Sequence, residues 1–103
     1  MSTGPSPSAV SRALRRLGTD LATWRKLRRL TVSEVADRAG LGVSTVVRLE
    51  NGRGASLENV LRVARALGVL DQMAACVDPY LTEVGQMRAD EALPRRVRSR
   101  GRL

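Results

Sequence analysis

Thr31–Gly52, TVSEVADRAGLGVSTVVRLENG, is the stretch whose reading settles the rest of the chain. It spells two short helices joined by a tight, glycine-containing turn. Thr31 is placed to cap the first helix: its hydroxyl accepts from the amide three residues on, and Glu34 reaches back to the Thr31 amide, a pairing that also suits the helix dipole. Val35, Ala36 and Ala39 then share a narrow apolar face. Gly40 stands where that helix must stop, because the residue just past a helix commonly takes a positive φ that glycine adopts at no steric cost. Leu41 plugs the space between the helices. From Gly42 the spacing restarts with Val46 and Leu49 inward and ends at Asn51-Gly52, which leaves Val43, Ser44, Val47 and Arg48 on an outer face. Small residues at Ala36 and Gly40 suit two helices that cross steeply over a short turn with their backbones close.

Upstream, Val10, Ala13, Leu14, Leu17, Leu21, Trp24 and Leu27 recur at three- and four-residue steps, which predicts an amphipathic helix over Ala9–Arg29, open to interruption at Gly18 or Thr19-Asp20. Trp24 lies on that stripe and reads as core. Met1–Ser8, with two prolines, a glycine and three serines, reads as a flexible arm. Downstream of the loop Arg53-Gly54-Ala55, Ser56 caps a helix that runs to Leu67 with Leu57, Val60, Leu61, Ala64 and Leu67 on one face, and Gly68 closes it. Val69–Val77 is a further short helix with Leu70, Met73, Ala74 and Val77 inward, ended by Asp78-Pro79. The sum is five helices and no strand: an all-α domain over residues 9–78, preceded by the arm 1–8 and followed by an extension, 79–103.

Composition narrows the function. At 103 residues the chain has room for one small domain. Eighteen basic side chains against ten acids give +8, which fits a polyanionic partner better than a lipid surface, since no basic amphipathic anchor is evident. Lys26 is the only lysine, and arginine's planar fork suits phosphates and guanine edges. The single cysteine, Cys76, forms no intramolecular disulfide and is expected in the core of a protein in a reducing compartment. No apolar run is long enough for a membrane span, and the Ser/Pro-rich start lacks the apolar centre of a signal peptide, so a cytoplasmic location is expected. With no histidine and no close carboxylate pair in an apolar setting, no metal site, cofactor site or acid–base dyad is legible and enzymatic activity is not expected. RNA is the weaker nucleic-acid partner, because exposed aromatics for single-stranded recognition are lacking.

Residues from about Leu21 to Val77 resemble the Xre (Cro/CI-type, lambda repressor-like) helix-turn-helix family, a five-helix DNA-binding fold. The resemblance is carried by Arg25, by LTVSEVADRAGL, by STVVRLENG and by SLENVLRVARALGV, in that order along the chain. It implies a recognition helix in the major groove of double-stranded DNA, with Val43, Ser44 and Arg48 against base edges. Arg48 has two parallel donors that match guanine O6 and N7; Ser44 serves several bases, and Val43 touches only a thymine methyl. Thr45, Asn51, Gly52 and Arg53 are then placed against the DNA backbone, setting register without reading sequence. Arg25 and Glu50 match an ion pair that ties the first helix to the recognition helix in many family members, a scaffold role. Two departures stand out. Val32 occupies a position that is often glutamine, so the phosphate interaction of that glutamine is missing or passes to Ser33, and Gly42 replaces the usual serine or threonine cap.

The resemblance also implies a homodimer on a palindromic operator, with half-sites ~34 Å apart, and a chain without a sensor domain acts most simply as a repressor. In the extension, Tyr80, Val84 and Met87 share a helical face, predicting a sixth helix from Asp78-Pro79 to about Ala92. Pro94–Arg102 holds five arginines and no acid. It reads as a solvated tail, a basic arm on phosphates, or a partner-binding segment. The third reading resembles the extensions of HipB-like antitoxins, which bind and neutralise a kinase-like toxin and autoregulate their operon.

Overall fold

The computed structural model describes residues 4–93. Among them are six α-helices, α1 (Ser8–Leu27), α2 (Val32–Ala39), α3 (Val43–Glu50), α4 (Leu57–Leu67), α5 (Leu70–Ala75) and α6 (Glu83–Ala92), with a 3-10 turn at Pro79–Leu81 and no strand. The all-α class read from the sequence is the class observed. Residues up to Met73 make one compact unit and those from Ala74 a second. Met1–Thr3 of the arm and the arginine-rich Pro94–Arg102 lie outside the described residues.

The helix ends are built from local chemistry. At α2 both halves of the capping box form: the Glu34 amide donates to the Thr31 hydroxyl at 3.0 Å and the Thr31 amide to the Glu34 carboxylate at 2.8 Å. Ser56 accepts from the Asn59 amide to start α4, whereas α3 begins at Gly42 with no side-chain cap. Gly40, Gly52 and Gly68 each take a positive φ, and the next residue donates back into the helix: Leu41 to Ala36, Arg53 to Arg48, and Val69 to Ala64. The same motif ends α1, with Leu30 donating to Arg25, but there the left-handed residue is Arg29, at φ 58°.

In the first unit the core is Leu21 from α1, Val35, Ala36 and Ala39 from α2, Val46 and Leu49 from α3, Val60, Val63, Ala64 and Leu67 from α4, and Val69. Helix α2 packs on α3 and α4, and α1 crosses both α3 and α4. Leu17, Trp24 and Leu41 are partly buried against this cluster.

Several sequence expectations fail. Helix α1 begins at Ser8 and runs unbroken through Gly18, Thr19 and Asp20. Gly18 is buried in it, because a Cβ there would meet the carbonyl oxygens of Leu49 and Glu50, the latter at 2.7 Å. It is a close-approach glycine, not a breaker. Val10, Ala13 and Leu27 are exposed, so only the middle of the α1 stripe reaches the core. On α4, Leu57 is 73% exposed and Val63 is buried instead. Leu57 and Leu61 line an open groove with Asp37–Gly40 rather than the interior. Helix α5 stops at Ala75, leaving Cys76 exposed and Val77 84% exposed. Beyond it, the sixth helix does not start at Pro79. Asp78 accepts from the Tyr80 amide to open the 3-10 turn, Thr82 is extended, and its hydroxyl caps α6 by accepting from the Gly85 amide at 2.9 Å.

Candidate nucleic-acid interface

Helix α3 has one buried and one open side. Val46 and Leu49 are sealed in the core, while Val43 is 47% and Val47 40% exposed, Ser44 and Arg48 are exposed, and Thr45 is half-buried between the two sides. The open residues fall at i, i+1, i+4 and i+5, one stripe of an eight-residue helix. Exposed valines there leave apolar surface in water that the fold itself does not cover. The sequence puts Val47 on this face without giving it a role. Ser33, in the first turn of α2, is exposed as well.

The exit of α3 is closed inward. The amides of Asn51, Gly52 and Arg53 donate to the carbonyls of Val47, Leu49 and Arg48 respectively. Gly52 therefore contributes a turn, and what this loop offers to a partner is carried by the exposed side chains of Asn51 and Arg53.

Glu50, the last residue of α3, is held from α1. Arg25 Nε donates to Glu50 Oε2 at 2.7 Å and Nη2 to Oε1 at 3.2 Å, and Nη1 donates to the Leu30 carbonyl at 3.0 Å. The two side chains are only 15% and 13% exposed. The hydrogen bonds to Glu50 raise the Arg25 pKa further above its ordinary value, against a smaller opposing cost of burial. A two-point fork of this kind fixes orientation as well as distance, so the pitch of α3 is set by α1.

Other arginines are also structural. Arg28 Nε donates to the Leu67 carbonyl at 2.9 Å, with its guanidinium 5.3 Å from the Trp24 ring centre. Arg62 Nη1 donates to the Ala39 carbonyl at 3.3 Å while Nε reaches Glu58. Each brings positive charge to a helix C-terminus, where the dipole favours it. Nothing in the spacing of Arg28 and Arg62 separates them from surface charge; only the packing of α4 on its neighbours does. Arg48 and Arg53 are left on the open side. From Gly40 to Leu57 the one acid is Glu50, already engaged by Arg25, so α3 and the loops on either side of it carry positive charge with no free carboxylate of their own.

Among the described residues no three or more His, Cys, Asp or Glu are grouped to hold a metal ion. No helix of the described residues is long and apolar enough to cross a membrane. Residues 21–70, which take in the end of α1 and all of α2, α3 and α4, match a family model described as helix-turn-helix. Neither a curated protein nor a solved structure matches the chain.

Proposed function

We propose that this chain, whose residues 21–70 belong to the Cro/CI-type helix-turn-helix family of DNA-binding transcription regulators, recognises a specific double-stranded sequence by laying α3 in the major groove. The observation that carries the reading is the open stripe of α3, Val43, Ser44, Val47 and Arg48, on a helix whose other side is locked into the core. Arg48 takes a guanine edge through two parallel donors, Ser44 a hydrogen bond to a neighbouring base, and the two valines thymine methyls. Ser33, Thr45, Asn51 and Arg53 meet phosphates on either side, with Gly52 shaping the turn that presents the last two. Interactions with bases give preference, and those with phosphates give register.

The protein works as a homodimer on a palindromic operator, with two copies of α3 entering successive major grooves ~34 Å apart. It represses by occluding a promoter. Selection of genomic DNA fragments by the purified protein tests this: an enriched inverted repeat bound by two protomers is the expected result, and retention of fragments without a shared sequence rejects specific recognition.

A second reading, an antitoxin that neutralises a kinase-like toxin while regulating its own operon, draws on residues 79–93. There Leu81, Val84 and Met87 expose large apolar side chains to solvent, a surface suited to a protein partner. Co-purification of a kinase-like product of an adjacent gene from the native host, abolished when the chain ends at Asp78, supports it.

A further inference from the structure

Two acid-poor stretches of this chain meet in the fold. Met1–Thr19 contains no aspartate or glutamate, and between Gly40 and Leu57 the one acid is Glu50, held by Arg25. They touch where α1 crosses the exit of α3. A methyl group built on Gly52 would lie 2.7 Å from Arg15 Cγ and 2.8 Å from Arg15 Cα, so the backbone and stem of Arg15 rest directly on that glycine. One turn further along α1, Gly18 makes the matching approach to the carbonyls of Leu49 and Glu50. The first half of α1 is therefore fixed beside Arg53 and the end of the reading helix.

This half-helix carries Arg12, Arg15 and Arg16, all exposed, at i, i+3 and i+4. The three line one open concavity, with Ala13 between them. Like charges at that spacing on a helix repel one another. Arg16 Nε sits 4.0 Å from Asp20 Oδ2, but the two side chains are 87% and 62% exposed, a loose and solvated pair that leaves the positive charge available. The core side of α1 is made by Leu17, Leu21 and Trp24, and what Arg15 packs on Gly52 is its backbone and stem, so the core does not call for the guanidinium heads of these three arginines. The segment also precedes residues 21–70, so the family match gives it no role.

We propose that Arg12, Arg15 and Arg16 form a phosphate-binding surface that extends the footprint of α3 along the backbone of double-stranded DNA. Its place next to Arg53, at the exit of α3, puts it beside the groove rather than in it, so it adds affinity without base preference. The inference rests on the DNA-binding reading above.

The test is the slope of log affinity against log salt for the full chain on a duplex carrying its selected site. Replacing all three residues, as Arg12→Gln, Arg15→Gln and Arg16→Gln, should flatten the slope by ~0.9 for each phosphate no longer neutralised and weaken binding roughly 10-fold or more at about 0.1 M salt. The selected sequence should stay the same. The corresponding lysine variants should restore the slope, which a packing role for the guanidinium forks would not allow. Arg12→Gln alone, one turn away from Gly52, covers the case in which the triple variant does not fold, and should flatten the slope by ~0.9. An unchanged slope in the glutamine variants overturns the proposal while leaving sequence recognition by α3 intact. Loss of self-association with an unchanged slope per protomer overturns it too, assigning the surface to a second copy. If the unaltered protein selects no DNA, the underlying reading fails first, and the two failures are told apart.

Discussion

Glu50 holds Arg25 with both carboxylate oxygens, at 2.7 and 3.2 Å, across the junction of α1 with the last turn of α3. At 15% and 13% exposure neither charge is well solvated without the other, so removing one strands its partner. Glu50→Gln is expected to lower stability by about 2–4 kcal/mol, a large share of what a small domain has. Arg25→Met combined with Glu50→Gln should cost less than the two single changes summed, by about 1–3 kcal/mol. Denaturant titrations of the four proteins measure this, and strict additivity would count against the pair.

Gly18 offers a test with a reversed sign. In an ordinary helix interior alanine is more stabilising than glycine by roughly 0.5–1 kcal/mol. Here the added methyl group meets the backbone of Leu49 and Glu50, which cannot swing aside as a side chain would. Gly18→Ala should therefore destabilise by about 1–3 kcal/mol. A rise in the unfolding midpoint would mean that the backbones of α1 and α3 do not touch.

Arg29 is an exposed arginine at φ 58°, a conformation costing an L-residue roughly 1–2 kcal/mol. Glycine does the same work without strain at Gly40, Gly52 and Gly68. Arg29→Gly should stabilise by about 0.5–1 kcal/mol, the relief being partly offset by the greater freedom of the unfolded chain. Thermal unfolding reads it directly, and a lower midpoint contradicts the expectation.

Glu34 gives a pH signature. Its carboxyl is held below the ordinary glutamate range, first by the hydrogen bond from the Thr31 amide and then by the Thr31 side chain. A depressed folded pKa stabilises at pH values above the unfolded pKa, and that contribution is lost as pH falls through the folded value. Carboxyl NMR titration should show a Glu34 midpoint below that of a free glutamate, and Glu34→Gln should flatten the acid limb of the stability curve. A midpoint in the ordinary range would mean the capping box is open in solution.

What is legible in the sequence is local. Thr31 with Glu34, Ser56, Gly40 and Gly68 announce their helix ends because the groups they satisfy lie within a few residues. The buried and open sides of α3 follow from periodicity alone, so the candidate reading stripe is visible in the sequence itself. Gly18 is misread there because its reason is the carbonyl of Leu49, far along the chain, where propensity alone suggests a break. Leu57 and Val63 exchange roles because an apolar stripe fixes a helix face only to within a neighbouring position, and the lie of α4 on α2 decides the rest. Arg28 and Arg62 look like surface charge until the helix ends they bind are placed beside them. Arg15 is the same case: its neighbour Gly52 is known only from the crossing of α1 over the α3 exit.

In the function proposed above, sequence recognition turns on Arg48. Binding-site selection from a random duplex library, run side by side with the unaltered protein and Arg48→Ala, is the most direct measurement of it. If Arg48 reads a base edge, the unaltered protein enriches an inverted repeat, and Arg48→Ala loses preference at one base pair in each half-site. It should also lose about 1–3 kcal/mol on the selected operator and little on random DNA. An identical base-preference profile from the two proteins, or no enriched sequence from either, would contradict recognition through the open side of α3.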